Sequence, residues 1–294
     1  MKYLAISLLL LIAAPGYSEI SKTELPADSH WYLHVDLDAM RTSGSGRQLY
    51  QWVNEEIFDD VRDDTGFDPD TEVSDITLYS AGTDHATLVV RGDLRQASQD
   101  KLIAVLAAKS EFEVEKQGRF NFYRIKDIDI ENDELQIDQD ELFVSFDRKN
   151  TWIFSTQMNS LLSVLSGKQA MAKQDGDALL VLSAKKPSVQ AGVDSEGFGE
   201  RFSSGVLRNA RQLAFRLSDD SGNADIELRI TARDAQTSNA LASIVRGLIG
   251  LQALSSDVDN EIGPLLNALK VESDAEGLSL RLNIAPESIV EILN

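Results

Sequence analysis

The sequence predicts an α+β fold built from antiparallel or mixed sheets with helices on one face, arranged as two tandem copies of one element order. Three observations carry that expectation. Several segments alternate apolar and polar residues with period two. Others place apolar residues at the three-and-four spacing of an amphipathic helix, and the same order of elements is legible twice along the chain. Strict alternation marks strands with one buried and one wet face, whereas all-parallel strands are covered on both sides and read as unbroken apolar runs.

The first copy opens with a strand over 31–37, where Trp31, Leu33, Val35 and Leu37 share one side. A helix over 48–62 follows from the stripe Leu49, Val53, Ile57 and Val61, widened by Trp52 and Phe58. Strands at 76–79 and 87–90, a helix at 101–108 and a hairpin over 112–125 complete the copy. Arg148-Lys149-Asn150 then separates apolar runs at 142–146 and 152–154 as a further hairpin, and a helix is expected over 157–165.

The second copy begins with a strand at 179–182 and a weakly patterned stretch containing Gly192, Gly197, Gly199 and Gly205. Leu213, Phe215 and Leu217 alternate with Ala214 and Arg216, and Ile226, Leu228 and Ile230 with Glu227 and Arg229. The turn-rich run from Asp219 to Asn223 joins these two strands. A helix over 240–254 rests on Leu241, Ile244, Val245, Leu248 and Leu251. An extra helix rests on Val258, Ile262, Leu265, Leu266 and Leu269, and a hairpin over 269–284 turns at Asp274-Ala275-Glu276-Gly277.

The order β-α-β-β-α-β-β therefore occurs twice and resembles the split βαβ units of ferredoxin-like folds. The internal repeat is one of architecture, since the two halves share almost no residue identity. The expected organisation is a signal peptide over 1–18, a first module over 19–166 with an acidic insert and a hairpin, a polar linker over 167–176 and a second module over 177–294.

The signal peptide is read from Lys2, the apolar run Leu4 to Ala14, the helix-breaking Pro15 and the small residues Gly16 and Ser18 before a cleavage point at Glu19. The apolar run is shorter than the roughly 20 residues a spanning helix needs. The expected location is periplasmic or secreted, with no stable membrane insertion after cleavage.

Composition narrows the function. Among 294 residues, 28 Lys+Arg face 48 Asp+Glu, a formal charge of −20 that repels nucleic acid and anionic surfaces. The chain has no Cys, which removes thiolate metal sites, thiol nucleophiles and Cys-attached lipid. The only histidines are His30, His34 and His85.

One strand stands out. His30, Tyr32, His34, Asp36 and Asp38 alternate with the apolar stripe of 31–37, so two imidazoles and two carboxylates share a face. His30, His34, Asp36 and Asp38 are ligand types for zinc or another divalent ion, and the plainer alternative is the wet face of a sheet. From Glu55 to Asp75 there are ten acids and one base, and from Asp127 to Glu141 eight acids and no base. Asp68, Asp70 and Glu72 open like a calcium loop, but Val73 stands where that loop needs its sharp-turning Gly. These runs read as solvated faces.

Hydrolase signatures fail. Ser43-Gly44-Ser45-Gly46 lacks the spacing of a nucleophile elbow, and Ser183-Ala184-Lys185-Lys186 has no accompanying Lys-Thr-Gly. The sequence thus points to a non-enzymatic exported bacterial envelope protein, a binding or scaffolding module without a cofactor. Its partner is an unknown envelope protein or a second copy of itself, not nucleic acid. The alternative is a metal-dependent hydrolase centred on His30, His34 and Asp36, loaded with zinc or calcium.

Overall fold

The computed structural model describes residues 29–80, 85–126, 141–167, 178–185, 210–254 and 268–293. The expected signal peptide, the acidic cluster from 127 to 140, the linker beyond Gly167, the Gly-rich stretch and the extra helix up to residue 267 lie outside the described residues.

Twelve strands are described: β1 Trp31–Asp36, β2 Asp75–Ser80, β3 Thr87–Arg91, β4 Glu111–Gln117, β5 Phe120–Lys126, β6 Glu141–Arg148, β7 Thr151–Ser155, β8 Ala178–Lys185, β9 Gln212–Asp220, β10 Asn223–Thr231, β11 Lys270–Ser273 and β12 Gly277–Ile284. They form one sheet in the order β11-β12-β10-β9-β8-β1-β2-β3-β7-β6-β5-β4.

This corrects the expectation of two ferredoxin-like modules. In a split βαβ unit the two strands joined through a helix run parallel with a third strand between them. Here β1 and the next strand in sequence, β2, lie side by side and antiparallel, and all twelve strands share one sheet whose neighbours are antiparallel throughout. The seam between the halves is itself a ladder. β1 takes β2 on one edge and β8 on the other, from Trp31 opposite Ala184 to Val35 opposite Leu180. Period-two alternation identifies the faces of a strand but carries no information about which strand occupies each edge. The α+β composition holds; the division of its sheet does not.

The helices are α1 Leu37–Thr42, α2 Gly44–Val53, a π-helical turn Asn54–Phe58, α3 Asp59–Thr65, α4 Pro69–Glu72, α5 Gln96–Lys109, α6 Met158–Leu165, α7 Ala235–Leu254 and α8 Pro286–Leu293. Among the described residues, no helix is long and apolar enough to cross a membrane.

Helices cover both faces of the sheet, a second correction. On one face, Leu37 and Met40 of α1, Leu49 and Tyr50 of α2 and Phe58 of the π-helical turn pack with Val90, Trp152 and Leu217 from the sheet. Leu241 and Ala242 of α7 extend that layer over Ile230 and Leu278. On the opposite face, α6 lies over β6 and β7, and its Leu161, Val164 and Leu165 join one cluster with Tyr32, Tyr79, Val89, Phe122, Ile153 and Val181. Strands of the first half are consequently sandwiched, and β1 sits near the middle of the sheet.

Candidate functional site

The polar side of β1 lies on the same face of the sheet as α6, where Tyr32 joins the buried cluster. Its central residue, His34, is 5% exposed, and Tyr32 and Asp36 beside it are also buried. The expected wet face is therefore an interior one. Alternation put these side chains on one face, and the strands that flank them, β2 and β8, come from distant parts of the chain.

His34 lies opposite Thr77 of β2 and Val181 of β8. Its Nδ1 is 2.8 Å from the Thr77 hydroxyl, while its buried Nε2 has no hydrogen-bond partner among the described residues. Burial, reinforced by the Arg91 guanidinium and opposed by Asp36, lowers the imidazole pKa to about 4. The ring is neutral at physiological pH.

Asp36 ends the strand and starts α1. Its extended backbone makes it the N-cap, and its Oδ1 accepts the Ala39 backbone N–H at 2.7 Å. Burial is the main cause raising its carboxyl pKa, with the Ala39 hydrogen bond working the other way. Asp75, opposite Asp36 on β2, pairs with Arg91 of β3 at 2.9 Å. Its pKa too is raised, chiefly by burial and against the pull of Arg91. Sequence reasoning missed Thr77, Asp75 and Arg91, because only strand pairing brings them to this face.

The other two candidates are elsewhere. His30 precedes the strand, half-buried, with its N–H donating to the Ser80 carbonyl and its own carbonyl accepting the Lys185 N–H. Four residues of strand separate it from His34, about 13 Å at an extended rise. Asp38 is exposed in the first turn of α1, where it pairs with Arg41 at 2.7 Å. The structure thus brings His34 and Asp36 to one buried face and does not gather the four. Among the described residues, no group of three or more His, Asp or Glu side chains could hold a metal ion.

The calcium-like run is also engaged otherwise. Glu72 is buried and accepts from the Ser98 hydroxyl at 2.6 Å and the Arg95 backbone N–H at 2.8 Å. Asp70 accepts the Tyr50 hydroxyl, and Asp68 the Thr71 hydroxyl at 2.8 Å. Ser183 lies within β8, so it does not open a helix as a nucleophile of that type would.

No protein-family model matches the chain, and no curated protein matches it significantly. Among solved structures it is similar to crystal form III of TP0453, at 9% identity and a TM-score of 0.45 over 95% of this chain and 98% of that one. Crystal form I gives 9% and 0.45 over 95% and 97%, and crystal form IV 10% and 0.41 over 97% and 98%. Similarity of this degree carries no argument about function.

Proposed function

We propose that the protein is an exported component of the bacterial cell envelope that acts by binding or scaffolding, without catalysis. The observation supporting this reading is the polar ladder on β10 and β12. Arg281 reaches Glu227 at 3.3 Å, Asn223 reaches Asn283 at 3.1 Å, and Asn283 reaches Asp220 at 3.0 Å. These groups, exposed apart from the half-buried Glu227, stand on strands whose other side carries the core residues Ile230 and Leu278. The sheet supplies a rigid backing, and the ladder presents directional donors and acceptors suited to an envelope protein or a second copy of this chain.

The test is performed in the native host. A photo-crosslinking residue at Arg281 is expected to yield adducts that the same residue at buried Leu278 does not, on a chain beginning at Glu19 and recovered from the envelope. A chain retaining Met1 in the cytoplasm, or equal adducts from both positions, contradicts the reading.

The alternative, a metal-dependent hydrolase using His34 and Asp36, is supported only by the partnerless Nε2 of His34.

A further inference from the structure

At the far end of the sheet, two neighbouring turns meet the C-terminal end of α6. The β4–β5 turn brings Arg119 and the end of β6 brings Arg148 to a cleft of about 420 Å³, with Phe120, Asp147, Leu165 and Ser166 among its lining. That volume lies within the range of small-molecule sites. In a chain of formal charge −20, residues 116–119 and 147–149 carry Lys116, Arg119, Arg148 and Lys149 against the single acid Asp147.

The cleft's negative groups are occupied. Asp147 accepts from the Asn121 backbone N–H at 3.2 Å and its side-chain amide at 3.3 Å. At the end of α6, the Leu162 carbonyl accepts the Ser166 N–H and the Val164 carbonyl the Gly167 N–H. The Arg148 guanidinium also donates to the Val164 carbonyl, at a long 3.4 Å. Arg119 stacks over the Phe120 ring, 4.9 Å from its centroid. Among the described residues, neither Arg119 nor Arg148 makes an ion pair. Two guanidinium groups thus flank an apolar floor of Phe120 and Leu165, with the Asn121-bonded Asp147 carboxylate as the one acid against them in the lining.

We propose that this cleft binds a phosphate monoester bearing an apolar substituent. Two arginines against one carboxylate leave the lining positive towards an ester that carries a charge of between one and two near neutral pH, and the planar fork of each arginine suits its oxygens. The floor accommodates the substituent. The ester can belong to a soluble metabolite or to a lipid headgroup, which present the same chemistry. This site is separate from the β10–β12 ladder, and its test does not depend on that reading.

The experiment is calorimetric titration of the purified protein with phenyl phosphate, inorganic phosphate and benzyl alcohol. Phenyl phosphate should bind at one site per chain, more tightly than inorganic phosphate, with affinity falling as salt rises and with no binding of the alcohol. Arg119→Gln and Arg148→Gln should each weaken phenyl phosphate at least about tenfold, the scale of losing one charge-assisted pair. Both side chains are exposed, so the variants should melt with the wild type. Vesicles of phosphatidylcholine containing phosphatidic acid separate the two sources. Co-sedimentation that requires both arginines assigns the ester to a lipid, and phenyl phosphate binding without co-sedimentation assigns it to a soluble compound. No saturable binding of phenyl phosphate, or equal binding by the Arg119→Gln/Arg148→Gln double variant, overturns the proposal.

Discussion

Asp219 holds Ser45 across 174 positions of sequence, its Oδ1 accepting the Ser45 backbone N–H at 2.7 Å and the Ser45 hydroxyl at 2.6 Å. Ser45 lies in the first turn of α2, whose own N-cap, Ser43, accepts the Gly46 N–H at 3.0 Å. Two of the donors orphaned at this helix end are therefore satisfied, one locally and one from β9 in the other half of the chain. Close approach is required: a Cβ on Gly44 would stand 2.7 Å from Gly222 Cα. Asp219→Ala should cost about 1–2 kcal/mol, the scale of a lost helix cap, read as a lower urea midpoint with unchanged slope. The Ser45 hydroxyl, then its backbone N–H, depress the Asp219 pKa. Its stabilisation is therefore present above the ordinary carboxylate pKa and is lost as pH falls below it.

His34 gives stability a second acid limb. Its folded pKa of about 4 lies below the ordinary imidazole value of 6.5, so the unfolded chain takes up the proton first. Stability is full above 6.5 and declines as pH falls towards 4, by about 3 kcal/mol if the whole shift is expressed. Asp36 and Asp75, whose pKa values are raised, act oppositely at the lower end of that window by protonating first in the folded state. Denaturation midpoints measured from pH 7 to 4.5 should fall in the wild type and fall less in His34→Gln. Parallel curves would show that His34 is not the titrating group.

The zinc alternative makes an opposite demand on the same residue. A site containing His34 and Asp36 would raise the melting temperature with zinc through ligand linkage. With no group of three ligands gathered among the described residues, zinc should leave the wild type and His34→Ala/Asp36→Ala with the same shift, namely none. A zinc-induced rise confined to the wild type would favour the hydrolase.

Gly92 tests how the first half is tied together. A Cβ there would lie 2.0 Å from the Glu72 carbonyl oxygen, and Glu72 is the buried carboxylate that satisfies Arg95 and Ser98 where α5 begins. Gly92→Ala should cost about 1–3 kcal/mol by overpacking. Hydrogen exchange should rise first in α5, whose N-cap residue Arg95 makes no side-chain cap of its own.

Much of this fold was legible locally. Leu213, Phe215 and Leu217 opposite Ile230, Leu228 and Ile226 in β9 and β10 pair as their alternation implies, because period two is fixed by the backbone itself. The helix at 48–62 was legible from its stripe, although the structure starts helical geometry at Gly44 and interrupts it with the π-helical turn. α8 was missed: Ile289 and Val290 follow Pro286 in a run too short to establish a period. The candidate site was legible only in part. His34 and Asp36 were found but Thr77, Asp75 and Arg91 were not, and the burial of His34 depends on strands far away in sequence. The Arg119–Arg148 cleft left no local signal either, since its two arginines come from separate turns.

The central structural claim is that one sheet runs through both halves at the β1–β8 seam, and the absence of native Cys makes it directly measurable. Val35 and Leu180 are directly opposite in that ladder and only half-buried. Facing Cβ atoms in such a pair stand about 4.5–5.5 Å apart, and cysteines there can bond with little adjustment. Val35→Cys/Leu180→Cys should form an intramolecular disulfide on mild oxidation of the folded protein, and Val35→Cys/Leu182→Cys, one pair out of register, should not. Equal cross-linking of the two variants, or none in the in-register pair until the protein is unfolded, would contradict the single sheet.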